Sequence, residues 1–213
     1  QYINGAYVLH KFDVQQFPAI QPEADWAAFS YWIALSQLLQ SPLVVKNIYP
    51  NSKQPDALAL YFYKQLGFRF SFDDTTRVQP PHTLPKFIEL DCSAFPDLAP
   101  GFAVWFALAG SSFTLSGLQR LPHKECDRIL AIASIFERLN TRVQIYRSPN
   151  DLSLQWLAEP LSPPKQAIPT DNDHRMVFAA SLLATRFSNV QIESPEAVVK
   201  SFPNWWQDLD LLV

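Results

Sequence analysis

Three aspartates, spaced at nearly equal intervals, constrain this chain more than its composition does. Asp25, Asp97 and Asp173 each stand directly before an apolar run of helical spacing, and the intervals between them are 72 and 76 positions. After each one the pattern repeats: a helix, a short β-branched strand and a second helix. In the first two rounds, two more strands follow. An Asp just before a helix is the expected cap, because its carboxylate accepts the free N–H groups of the first turn. A chain that repeats one supersecondary unit must stack the copies, since no copy can bury its apolar face alone. The expected class is therefore α/β (α+β), built of repeated units.

In the first round the spacing predicts a helix from Asp25 to about Gln40, with Trp26, Phe29, Tyr31, Trp32, Leu35 and Leu38 on its apolar side. A strand over 43–48 follows, then a helix opened by Pro55-Asp56 and ended by Gly67. Strands over 68–72 and 86–91 flank a loop carrying Pro80 and Pro81. The second round reads as a helix capped by Asp97 and running to about Ala109, a strand over 112–116, a helix over 124–139, and strands over 142–147 and 152–157. The third reads as a helix from Asp173 to Arg186, a strand over 189–193 and a last helix from Pro203 to Leu212. It stops before its strand pair. Residues 6–21 read as extended segments punctuated by Pro18, with Pro22 just beyond. Gln1 is not an initiator Met and residues 1–10 already read as strand, so more chain before Gln1 is expected.

With 213 residues, 48% of them hydrophobic, the chain can bury a sizeable core in one or two domains. A net charge of −3 and a sequence pI near 5.8 point away from nucleic acid and from anionic membrane surfaces as partners. No apolar run reaches transmembrane length, and no charged-then-apolar leader is present. Five glycines against eighteen prolines leave no Gly-rich phosphate loop, which excludes a P-loop or dinucleotide fingerprint. The two cysteines, Cys92 and Cys126, have no metal-ligand spacing and fit a reducing compartment.

The unusual charges fall at the expected helix starts: Asp97 at one, Lys124, Glu125 and Arg128 at another, Asp173, His174 and Arg175 at a third, with Lys200 before the last. Helix N-termini carry free N–H groups and a partial positive charge, so they suit anions and disfavour cations. Cations gathered there point to a site for an anionic ligand. Each residue also has a plainer reading. Asp97 and Asp173 would be caps, Glu125 and Arg128 an i,i+3 surface pair, His174 a surface or capping imidazole, and Lys200 an ordinary exposed lysine. Cys126 has no His-Asn constellation to make it a nucleophile.

Several blocks resemble the EPSP synthase family, the 3-phosphoshikimate 1-carboxyvinyltransferases. They are Phe95-Pro96-Asp97-Leu98-Ala99-Pro100, Lys124-Glu125-Cys126-Asp127-Arg128, Asp173-His174-Arg175-Met176 and Lys200-Ser201-Phe202-Pro203, in the family's order and spacing. Glu23-Ala24-Asp25-Trp26 with Ser30-Tyr31-Trp32, and Asn51-Ser52-Lys53-Gln54-Pro55-Asp56, agree too, the aromatic pattern being of Bacteroidetes type. The resemblance implies a domain of repeated β-α-β-α-β-β units with helices buried and sheets outside. It implies that residues 23–213 are the C-terminal domain and residues 1–22 the end of the N-terminal domain plus a hinge strand. The rest of that N-terminal domain would be missing.

In the family, the enolpyruvyl group of phosphoenolpyruvate passes to the 5-hydroxyl of shikimate 3-phosphate, in the shikimate pathway to the aromatic amino acids. By motif position the resemblance makes Asp97 the base and hydroxyl contact, and Glu125 its partner in proton transfer at the methylene carbon. Arg128 and Arg175 would hold the phosphoenolpyruvate carboxylate, Lys200 its phosphate, and His174 would support the site. Lys124 and Arg120 would lie on the shikimate 3-phosphate side. No metal or cofactor is expected, and neither a nucleic-acid nor a membrane partner; the location implied is cytoplasmic. The isolated chain is expected to be inactive. Cys126 stands where the family usually has Thr, Arg120 where many members have Asn, Ala27-Ala28 where Ser-Ser is usual and Pro55 where Gly is usual. The alternative expectation is a non-catalytic relative that keeps the fold as a binding or interaction module.

Overall fold

In a computed structural model of the chain, residues 2–8 and 22–211 are described. The expected extended run and hinge strand before residue 22 fall largely outside them. What is described there is a two-stranded antiparallel ladder of β1 (Tyr2–Ile3) and β2 (Ala6–Tyr7).

One helix from each round makes the interior. These are α1 (Trp26–Leu38), α3 (Ala99–Leu108) and α5 (His174–Ser181), with α3 packed against both others. All ten residues of α3 are buried. Its sequence, Ala-Pro-Gly-Phe-Ala-Val-Trp-Phe-Ala-Leu, accordingly has no polar face, as expected of a helix surrounded by protein. The Trp105 indole N–H finds a buried partner in Gln37 Oε1 of α1 at 2.9 Å. Gly101 belongs in this helix for a steric reason: a Cβ there would lie 2.7 Å from the Tyr31 ring.

The sheets lie outside these helices. β3 (Leu43–Val45), β4 (Arg69–Phe72) and β5 (Thr76–Gln79) form an antiparallel sheet in the order β3-β5-β4, beside α2 (Ala59–Gln65). β6 (Phe87–Asp91), β7 (Ser112–Ser116), β8 (Gln144–Arg147) and β9 (Leu152–Trp156) form a second sheet, β6-β7-β9-β8. There β6 and β7 pair in parallel across the α3 crossover, Leu90 opposite Leu115, while the rest is antiparallel. The third round keeps the same crossover in miniature, as a single parallel bridge between Ile168 and Ile192 on either side of α5. α4 (Arg128–Arg138) and α6 (Trp205–Asp210) are the second helices of their rounds.

Glycine is scarce, so other residues share the left-handed position that ends a helix. Gly67 and Gly110 serve after α2 and α3, whereas Gln40 (φ 54°) and Asn140 (φ 60°) serve after α1 and α4. Asn takes this conformation at modest cost; Gln is the rarer choice.

Four expectations need correcting. Asp97 is not a helix cap: Pro96–Leu98 forms a 3-10 turn and the Asp97 side chain bonds no first-turn amide. Lys124 and Glu125 are not on a helix either, because α4 begins at Arg128 and Asp127 caps it through the Ile129 and Leu130 amides. The loop between the strands expected over 68–72 and 86–91 contains a further strand, β5. The strand expected over 189–193 is reduced to the bridge at Ile192.

Candidate active site

A 3-10 turn started by Pro96 turns Asp97 away from capping, and the cap at Asp127 starts α4 on Arg128. The two side chains meet: Arg128 Nη1 donates to Asp97 Oδ1 at 2.8 Å. Arg128 is the centre of the site. Only 1% of its side chain is exposed, and three carboxylates surround it. Nη2 donates to Glu125 Oε2 at 2.7 Å and to Asp173 Oδ1 at 3.2 Å, and Nε donates to Asp173 Oδ2 at 2.7 Å. A guanidinium fork suits such planar pairing, and its burial is tolerable only because the charge is matched.

Further cations ring these carboxylates. Lys124 Nζ lies 2.9 Å from Asp97 Oδ1, and Arg175 Nη2 lies 3.5 Å from Asp97 Oδ2. Lys200 Nζ, on a side chain 60% exposed, lies 2.6 Å from Glu125 Oε1. Four cations thus meet three carboxylates. Asp173 has a double duty. It caps α5 by accepting the Arg175 amide at 2.9 Å, and it anchors Arg128, so it fixes both arginines at once. Tyr31 of α1 adds a third support by donating to the Arg175 carbonyl at 3.2 Å.

The charges displace the ionisation of the groups they surround. A hydrogen bond from Lys200 is the main cause holding the Glu125 carboxyl down at about 2, with Arg128 assisting. Burial pushes Asp97 upward, but the Lys124 hydrogen bond with the Arg175 and Arg128 charges outweighs it and leaves Asp97 below the usual range. Burial also lowers His174, with Arg175 acting the same way. Burial and the nearby Asp173 charge push the Cys126 thiol up to about 12, which makes it a poor nucleophile. At the edge of the site, burial raises Asp56 while Arg175 opposes it.

The shifts of Glu125, Asp97 and His174 share one sign, opposite to those of Asp56 and Cys126. Each of Glu125, Asp97 and His174 binds protons less readily folded than unfolded, so stability must rise with pH through their range. We expect stability to fall first below the ordinary imidazole value of 6.5, as His174 resists charging. It should fall again from about pH 4.5 toward 2 as Glu125 is forced to protonate. Urea unfolding midpoints from pH 8 to 3, followed by tryptophan fluorescence, check this; a midpoint that climbs on acidification contradicts it.

Of the residues singled out in the sequence, Asp97, Lys124, Glu125, Arg128, Arg175 and Lys200 therefore join one network. His174 sits beside it, with Nδ1 3.5 Å from Asp173 Oδ1 and without a hydrogen-bond partner among the described residues. Arg120 does not join: it is exposed and its side chain makes no hydrogen bond or ion pair among the described residues. Two contributors are not apparent in the sequence. The anchoring role of Asp173 hides behind its capping signal, and Tyr31 reads simply as core. The three carboxylates converge on a guanidinium; among the described residues no set of His, Cys, Asp and Glu is placed to hold a metal ion. An apolar groove of about 460 Å³ lined by Phe29, Trp32, Leu43 and Phe202 shares no residue with this cluster.

A sequence model of the EPSP synthase (3-phosphoshikimate 1-carboxyvinyltransferase) family matches residues 14–209. A 3-phosphoshikimate 1-carboxyvinyltransferase of Bacteroides fragilis is 33% identical over 192 residues, covering 88% of this chain and 46% of the relative. One of Syntrophobacter fumaroxidans is 30% identical over 191 residues, covering 89% and 44%. The chain spans about half the length of the curated relatives it matches. Among solved structures, EPSP synthase from Acinetobacter baumannii superposes with a TM-score of 0.69 at 19% identity, over 90% of this chain and 46% of that one. The enolpyruvyl transferase NikO from Streptomyces tendae superposes with a TM-score of 0.61 at 17% identity, over 89% and 43%. At such identities these likenesses speak for the fold.

Proposed function

The chain belongs to the EPSP synthase family, and from that premise we propose that it is the C-terminal half of an enolpyruvyl transferase acting on phosphoenolpyruvate and shikimate 3-phosphate. Residues 23–213 are then the C-terminal domain, and a preceding N-terminal domain completes the site. One observation carries the reading: Asp97, Lys124, Glu125, Arg128, Arg175 and Lys200, drawn from two rounds of the repeat, meet in one ion-pair network. A cytoplasmic location is part of the same proposal; among the described residues no helix is long and apolar enough to cross a membrane.

The chemistry asks for two proton carriers and an anion clamp, and the network contains them. Glu125 gives a proton to the methylene carbon of phosphoenolpyruvate, and the acceptor hydroxyl oxygen bonds to the adjacent carbon while Asp97 takes its proton. The carbon–oxygen bond to phosphate then breaks, inorganic phosphate leaves carrying the proton that Asp97 took, and the methyl group returns a proton to Glu125. Arg175 and the remaining Nη1 donor of Arg128 hold the substrate carboxylate, Lys200 meets the phosphate, and Lys124 faces the acceptor.

Half a site positions its substrates poorly, and positioning supplies much of the acceleration in a two-substrate reaction. The isolated chain should therefore release no phosphate from phosphoenolpyruvate and shikimate 3-phosphate. Adding the N-terminal half should restore turnover. Substantial turnover by these 213 residues alone, or none from the reassembled protein, overturns the reading. A non-catalytic binding module is the second reading, favoured by the position of Arg120 outside the network. Calorimetry of the complete protein with shikimate 3-phosphate separates the two, since a relative that has lost acceptor recognition gives no binding heat.

A further inference from the structure

Glu125 is held at its two oxygens by unequal partners. Oε2 accepts from Arg128, a buried guanidinium tied to two other carboxylates. Oε1 accepts from Lys200, whose side chain is 60% exposed and makes this one bond among the described residues. Lys200 ends a 3-10 turn, Pro195–Lys200, and carries its ammonium on a flexible, largely exposed stem. An exposed lysine–carboxylate pair is weak, and a doubly charged phosphate competes well for such an ammonium. Arg128 has no such freedom, because leaving Glu125 would not release it from Asp173 or Asp97.

We propose that Lys200 is a positioning residue for Glu125 as well as an anion contact: an arriving phosphate group draws the ammonium off Oε1 and frees that oxygen to take a proton from solvent, while Arg128 keeps the carboxyl aimed. The exchange makes acid chemistry at Glu125 conditional on anion binding. The identity of the reaction it serves rests on the function proposed above, but the exchange itself does not. Its consequence for charge is clear from the surroundings. The groups that act on Glu125 or are acted on by it are Lys200, Arg128 and, more weakly, His174. With Lys200 bonded, the carboxyl is held further from its protonated form than an ordinary glutamate.

The test reads protonation directly, without turnover. In the 213-residue chain labelled with carbon-13 at glutamate carboxyl groups, the Glu125 signal at pH 4 should be that of an ionised group, with about one molecule in a hundred protonated given a value of about 2. Lys200→Gln should raise that fraction about twenty-fold or more, as the carboxyl returns toward its ordinary range of about 4.3. Saturating sulfate, a tetrahedral anion still doubly charged at pH 4, should do the same in the unaltered chain, which keeps the test independent of how the variant folds. Sodium chloride at matched ionic strength should not. A Glu125 signal that stays ionised after either change, or that responds equally to chloride, overturns the exchange. Absent turnover in the reassembled protein, with the Glu125 response intact, would instead sink the proposed reaction and leave the exchange standing.

Discussion

Arg128→Ala should destabilise the chain by about 3–5 kcal/mol, the range found when one partner of a buried ion pair is removed. The cause is what it leaves behind. Asp173 is fully buried, and without the guanidinium its carboxylate keeps two neutral donors among the described residues, the Arg175 amide and the Cys126 thiol. Asp97 and Glu125 lose the donor they share but retain Lys124 and Lys200. Urea unfolding followed by tryptophan fluorescence measures the loss, and a change under about 1 kcal/mol would remove Arg128 from the role of keystone. In the complete protein the same variant should weaken phosphoenolpyruvate use strongly, visible as a fall in kcat/KM. Unchanged kinetics would remove Arg128 from the proposed site.

Asp173→Asn separates two roles that one carboxylate performs. Asparagine caps helices about as well as aspartate, so the start of α5 should survive. What disappears is the negative charge against Arg128, and with it two charge-assisted hydrogen bonds. We expect a loss of about 2–3 kcal/mol, consistent with hydrogen bonds to charged groups in a buried setting. Asp25→Asn is the matched control: Asp25 is exposed and its cap bond goes to the Ala27 amide, so the change should be under about 0.5 kcal/mol. Equal losses at the two positions would show that capping, not anchoring, is what Asp173 contributes.

The comparison of those two aspartates shows how far the sequence could be read. Local signals carried the helices: Asp25 and Asp173 cap as their positions imply, and the apolar spacing after them gives α1 and α5. Asp97 carries the same local signal and behaves differently, because Pro96 starts a 3-10 turn one residue earlier and leaves the carboxylate free to face Arg128. β5 has a weak local signal since Thr-Arg-Val-Gln is short and has one apolar residue among four, and its pairing with β3 and β4 is a non-local fact. Val190 and Ile192 have strand chemistry, yet among the described residues Ile192 alone of the two forms a bridge. At the candidate site the clustering of charge at helix starts was visible. The pairing was not, because whether Lys200 meets Glu125 across 75 positions depends on packing that periodicity does not encode.

In a solenoid each repeat touches only its neighbours, and stability is close to a sum of local terms. This chain closes its repeat on itself. Tyr31 of the first round reaches the Arg175 carbonyl of the third, Trp32 meets Trp205 at 4.9 Å, and α3 of the second is enclosed on all sides. With α1 and α5 both packed against the enclosed α3, no round can be excised without exposing the inner helix of another. Unfolding should therefore be a single cooperative event despite the modular sequence, and shortening the chain by one round should yield an insoluble product, not a smaller domain.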